Sequence, residues 1–154
     1  MAWFHNMTLV NYKKKRKFEK TSEPKAVVAS SKKGNIYSIQ EHHARNLHWD
    51  LRLEEKGVLK SFAIPKTPPR KTGLKRLAVQ TEDHPVAYAF WQGEIPKGEY
   101  GGGKVKIWDR GEYKTIEKDK KKWLIEISGK KLKGKYALIH FREKNWLFFK
   151  MKKD

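Results

Sequence analysis

Short apolar runs recur along the chain from Val27 onward, each bounded by Gly, Pro or Lys clusters. They are Val27-Val28, Ile36–Gln40, Leu47–Leu53, Val58–Ile64, Leu77–Gln80, Val105–Trp108, Leu124–Ile127, Tyr136–His140 and Leu147–Lys150. Many short runs at close spacing predict strands of an antiparallel barrel or sandwich. No stretch holds a 3.6-residue period over three turns, so the helical content is expected to be small. The clearest pattern starts at Leu47. Leu47, Trp49, Leu51 and Leu53 alternate with His48, Asp50, Arg52 and Glu54. In a strand the first set faces a core and the second faces away from it. No internal repeat and no long linker divides the chain.

Charge changes this picture. The 154 residues carry 36 Lys and Arg against 17 Asp and Glu, a formal charge of +19. The excess is +7 over residues 1–40, +3 over 41–112 and +9 over 113–154. A basic balance of this size makes a polyanion the expected partner. Six Trp, six Tyr and seven Phe distinguish the chain from a disordered basic tail. The absence of Cys excludes a disulfide scaffold, a thiolate zinc site and a cysteine nucleophile, and it fits a reducing, cytoplasmic location. Apolar runs are too short for a membrane span, and residues 1–11 lack the apolar stretch of a signal peptide. Met7 is a second candidate start beside Met1. Residues 1–11 are expected to be flexible, and the basic run Lys13–Lys17 reads as an arm, a short helix or a solvated tail.

The segment Gln40–Glu54, QEHHARNLHWDLRLE, holds the candidate chemistry. Imidazole and carboxylate are ligands of divalent transition metals, and Arg is a bidentate partner of phosphate. Gln40 and His42 share the parity of His48, so a hairpin-like lead-in would add a second imidazole. His42, His48 and Asp50 would then form a two-histidine, one-carboxylate set with coordination positions left open. The alternative is the solvent face of an ordinary strand. A second cluster is Thr81-Glu82-Asp83-His84-Pro85, with Tyr88 behind it. Pro85 disfavours a helical His84 and predicts a turn there. That His84 either binds a phosphate oxygen or stabilises the turn. The glycines of GEIPKGEYGGGKVKIWDRG, residues 93–111, lack the P-loop pattern and predict a hairpin turn with positive φ. Trp146 and Phe148, between lysines, read as closing strands or as a base-stacking surface.

Together these segments resemble the 3′-phosphoesterase domain of bacterial DNA ligase D and its stand-alone archaeal and bacterial relatives. The matching text is KRKF…TSEP, IQEHHARNLHWDLRLE, GVLKSFAIPK, KRLAVQTEDHPVAYAFWQGEIPKGEYGGGKVKIWDRGEY and KGKYALIHFREKNWLFFK, from about Tyr12 to Lys150. The resemblance implies a mainly β fold: a small antiparallel β-barrel with flanking short helices or strands, one domain over residues 12–154. It implies an Mn²⁺-dependent hydrolase, or one using another divalent transition metal. Such an enzyme removes a 3′-terminal ribonucleoside from a primer strand and then the remaining 3′-phosphate. The family's metal-ligating pattern falls on His42, His48 and Asp50. Its phosphate-contacting pattern falls on Arg52, His84, Tyr88 and Arg16, and Glu23 and Gln40 fall on further functional positions. Lys17 stands where the family usually has Asp, so that Asp's role is not carried over. The implied partners are nucleic acid and a separate ligase and polymerase, with the chain itself a monomer. Two other readings use fewer of these residues. A non-catalytic nucleic-acid-binding barrel needs only the charge and the aromatics. A metal oxygenase uses two His and a carboxylate but leaves Arg52 idle.

Overall fold

A computed structural model describes residues 8–152. Among these residues, nine strands follow a short helix, α1 (Val10–Lys14). They are β1 (Ile36–His43), β2 (Leu47–Glu55), β3 (Val58–Ile64), β4 (Lys75–Pro85), β5 (Gly93–Ile95), β6 (Gly103–Lys118), β7 (Lys122–Ser128), β8 (Lys133–Arg142) and β9 (Asn145–Lys150). A single 3₁₀ turn, Val86–Phe90, separates β4 from β5. All strand pairings are antiparallel, in the order β1-β2-β3-β4-β9-β8-β7-β6, and β6 pairs back onto β1. The result is a closed eight-stranded barrel with β5 added along β6. Closure is possible because β6 is 16 residues long: its first half runs between β5 and β1, and its second half pairs with β7.

Period-2 alternation builds two apolar layers. Tyr37, Ile39, Leu51, Leu53, Phe62, Ile64, Trp123, Tyr136, Leu138 and Phe148 point inward and are almost fully buried. Eight strands enclose a space that side chains fill, so the interior is a core and not a ligand channel. A smaller cluster of Tyr12, Leu59, Val86, Tyr88 and Ala89 lies on the outside of the wall, with Phe18 and Trp91 against it. The N-terminal segment and the 3₁₀ turn therefore cover part of the barrel's outer face. Trp146 and Phe148 belong to the core side of a closing strand, as Phe148 is 0% exposed.

Two expectations from the sequence are corrected. Val27-Val28 is not a strand. It runs beside the β2–β3 turn, where Ala29 N–H donates to Gly57 O, and a single Val-Val pair finds no regular ladder. His84 is not on a turn. It is the penultimate residue of β4, and Pro85 caps the 3₁₀ turn at φ −67° and ψ 148°, so the proline ends a strand. Of the segment expected to be flexible, residues 1–7 lie outside the described residues, while Leu9 is buried at 2% exposure.

Candidate active site

The polar face of β2 is mostly buried: Asp50, Arg52 and Glu54 are closed off, and His48 is partly exposed. It lies under the outer layer, on the wall formed by β1 to β4. The β1–β2 hairpin sets His42 opposite His48 and Gln40 opposite Asp50. On the other edge of β2, Asp50 pairs with Ala63 and Arg52 with Ser61. His42, His48, Asp50, Arg52, His84, Tyr88 and Arg16 line one cleft of about 260 Å³. Gln40 and Glu23, also singled out in the sequence, stand behind it.

His84 reaches this cleft through an irregularity in β4. Ser61 pairs with Thr81, but Leu59 pairs with His84, so three steps on β4 match two on β3. In a regular strand Thr81 and His84 would face opposite sides. The extra residue is a β-bulge, and it turns the imidazole to the side of Arg52.

His42 Nδ1 lies 3.2 Å from His48 Nε2, which lies 3.2 Å from Asp50 Oδ2; His42 Nδ1 to Asp50 Oδ2 is 3.7 Å. The opposite ring nitrogens are occupied. His42 Nε2 meets Gly101 O at 2.7 Å, and His48 Nδ1 meets Asn46 O at 3.0 Å. Carbonyls only accept, so these nitrogens carry the protons. The two facing nitrogens are then lone pairs, aimed at each other beside a carboxylate. Three electron-rich atoms at this spacing repel unless a proton or a cation lies among them. Backbone carbonyls that fix the tautomer of a ligating histidine are the usual support of a metal site. The donor set thus fits a divalent transition ion held by His42, His48 and Asp50. Burial opposes charge on both His48 and Asp50. The hydrogen bond and charge of Asp50 nevertheless raise the basicity of His48, while Arg52 and the two imidazoles hold the Asp50 carboxyl well below its usual range.

Arg52 is fixed from three sides. Its Nε donates to Gln40 Oε1 at 2.6 Å and its Nη1 to Ser61 Oγ at 2.8 Å. Its Nη2 lies 3.6 Å from Asp50 Oδ2, and its guanidinium sits 4.7 Å from the Tyr88 ring centroid. Gln40 is fully used: its amide N–H groups donate to Tyr88 O and Trp91 O at 2.7 and 2.8 Å. It thereby ties the 3₁₀ turn to the wall.

A second guanidinium comes from the N-terminal segment. Arg16 Nε donates to Glu23 Oε2 at 3.1 Å, and Tyr88 Oη donates to the same oxygen at 2.6 Å. Thr21 Oγ1 donates to Glu23 Oε1. Glu23 therefore acts as a buried strut that holds Arg16 and Tyr88 at one wall of the cleft. The basic run is not a free tail here, because the Arg16 side chain is 4% exposed. Burial, with a contribution from Glu23, raises the Tyr88 hydroxyl's pKa well above its ordinary value, so it remains a donor. His84 is shifted the other way, by burial first and then by Arg52 and Arg16, and its imidazole is neutral. Its Nδ1 lies 2.9 Å from Glu82 O.

Two supporting groups were not singled out from the sequence. Ser61, buried behind the cleft, braces Arg52. Gly101 orients His42 from the β5–β6 loop, where Gly98 and Gly101 have the expected positive φ, as does Gly103 at the start of β6. The glycine-rich text marked the loop, but a carbonyl's reach across 59 positions has no signature in spacing.

Residues 40–140 match the family model described as the DNA ligase D 3′-phosphoesterase domain. The chain belongs to the DNA ligase D 3′-phosphoesterase domain family. It is 44% identical over 156 residues to a multifunctional non-homologous end joining protein LigD of Mycolicibacterium smegmatis. It is 43% identical over 152 residues to that of Mycobacterium tuberculosis and 39% over 155 to that of Pseudomonas aeruginosa. Each match covers 94% of this chain but only 18–20% of the relative, so the chain spans about a fifth of the curated relatives it matches. Among the described residues, no helix is long and apolar enough to cross a membrane.

Proposed function

We propose that this member of the 3′-phosphoesterase family heals 3′ ends. It removes a 3′-terminal ribonucleoside from a DNA or RNA primer strand, and then the 3′-phosphate left behind, to give a 3′-OH for a separate ligase. The observation that carries this reading is the pairing of two cationic forks with a metal-type donor set in one cleft. Arg16 and Arg52 are buried beside His42, His48 and Asp50. A metal oxygenase has no need of two guanidiniums, and a passive nucleic-acid barrel has no need to bury them.

Mn²⁺ or another divalent transition ion on His42, His48 and Asp50 would supply charge neutralisation at a phosphate oxygen and a more acidic bound water. The chain's own groups do the rest. Arg52, locked by Gln40 and Ser61, presents remaining donors to phosphate without a reorganisation cost. Arg16, held beside Tyr88 by Glu23, adds a second permanent charge to the cleft. Tyr88 Oη keeps its proton and donates it to a phosphate oxygen by leaving Glu23. His84 is neutral with its Nδ1 proton on Glu82 O, so its Nε2 accepts. It meets a protonated phosphate oxygen, or takes up a proton as a dianionic phosphate enters. Release of inorganic phosphate from a 3′-phosphate oligonucleotide tests the reading. Activity is expected to vanish with EDTA and return with Mn²⁺. Metal-independent release, or none with any divalent ion, overturns it.

A further inference from the structure

Tyr100 stands apart from the other aromatic groups of the cleft. Tyr88 is 2% exposed and part of the packed layer, whereas Tyr100 lines the same cleft and is 49% exposed. It sits at the tip of the β5–β6 loop, and the next residue's carbonyl holds His42. The loop is tied within itself by Glu99 N–H to Pro96 O and Gly102 N–H to Glu99 O, at 3.1 and 3.0 Å. Lys15 and Arg16 lie over the Tyr100 ring, at 4.8 and 5.4 Å from its centroid. Lys15 Nζ also reaches Tyr100 Oη at 3.4 Å and Glu82 Oε2 at 2.9 Å, which bridges the cleft mouth. A half-exposed ring fixed beside a phosphate-binding guanidinium has the two parts of a nucleotide site, a stacking face and a cation.

The cleft's phosphate-facing groups Arg52, His84 and Tyr88 are buried, while Tyr100 is half-exposed, so a base that meets the Tyr100 ring lies at the rim. Bases inside the primer duplex are already stacked on both faces. The terminal base has one face free. The geometry points to Tyr100 as the stacking platform for the base of the 3′-terminal nucleoside, a specificity residue for the nucleoside-removing step. This inference rests on the end-healing reading above. The terminal nucleoside leaves in that step, so the stack is absent when the 3′-phosphate is removed.

The test uses three primers on one template, ending in a 2-aminopurine ribonucleoside, an abasic ribose or a 3′-phosphate. Binding without metal is read by 2-aminopurine fluorescence, and turnover with Mn²⁺ by product release. Wild type is expected to quench the terminal 2-aminopurine; Tyr100→Phe keeps the quench and Tyr100→Ala loses it. Tyr100→Ala is expected to lower the ratio of nucleoside removal to phosphate removal about tenfold, in keeping with the strength of base–aromatic stacking. The abasic primer is expected to be cleaved about tenfold less well than the base-bearing one by wild type, and equally well by wild type and Tyr100→Ala. Equal quenching in wild type and Tyr100→Ala, or an equal loss on both activities, overturns the stacking role. Quenching by a wild type that releases no phosphate from any primer supports the stack and overturns the end-healing reading instead.

Discussion

At the scale of single residues, the cleft separates groups that hold charge from groups that hold those groups in place. His48→Ala or Asp50→Ala removes a donor that no neighbour replaces, so phosphate release is expected to fall by at least a hundredfold on both substrates, measured with saturating Mn²⁺. Arg52→Lys keeps a charge but loses the fork that bonds Gln40 and Ser61 together. It is expected to recover less than a tenth of the activity. Because a phosphodiester carries less charge than a phosphomonoester, the loss is expected to be unequal between the two substrates, whereas the metal-ligand variants lose both. His84 makes a separate prediction about stability. Its folded pKa is depressed by burial and by the Arg52 and Arg16 charges. Below about pH 6.5 the unfolded chain takes up a proton that folded His84 refuses, so this group lowers stability as pH falls. Between pH 7.5 and 5.5 wild type is expected to lose more stability than His84→Gln. Urea midpoints at the two pH values check this, and parallel changes in both proteins would refute a neutral buried His84.

At the scale of elements, short-range geometry aims the site. The β2–β3 hairpin turns through Lys56 at φ 52° and Gly57 at φ 84°, the two positive values of a tight two-residue loop. A Cβ on Gly57 would sit 3.0 Å from Val28 Cγ1. Gly57→Ala is expected to cost about 1–2 kcal/mol of stability, from backbone strain and crowding together. Thermal unfolding reads it, and activity per folded molecule is expected to be kept, since the turn lies at the far end of β2 from His48. The helix α1 matters for a different reason. Tyr12 is fully buried between the N-terminal segment and the barrel wall, and the Arg16 guanidinium sits 3.9 Å from its ring centroid. The segment bearing the basic run is therefore part of the site's wall.

At the scale of the whole molecule, a charge of +19 is spread over a barrel whose interior is closed to ligands. Any nucleic acid must therefore lie on the outside, where Lys and Arg displace its counterions. Affinity for a primer–template is expected to fall steeply with salt, with a linear log–log plot. Reversing Lys13, Lys14 and Lys17, all exposed, is expected to flatten the slope if the α1 side faces the backbone. An unchanged slope would place the duplex on another face.

Period-2 alternation is a local property, so the sequence alone determined that Trp49, Leu51 and Leu53 share one face and His48, Asp50 and Arg52 the other. It also determined that most of the chain is short strands, and that His42 has the parity to join the row. Other features depended on contacts far apart in the chain. Closure through β6 made the apolar face the barrel interior and put the polar row on the outer wall. The N-terminal segment then walled one side of that row, with Glu23, bonded to Arg16, reaching Tyr88 across 65 positions. The β4 bulge turned His84 toward Arg52, because one extra residue reverses every later side chain, and strand parity read without its partner's register does not reveal it. The Gly101 carbonyl came to His42 only once the loop had been carried beside β1 by the β6 pairing. Spacing along one strand reports which side chains share a face; what covers that face is decided by pairings between distant segments, where the free energy of burial is gained.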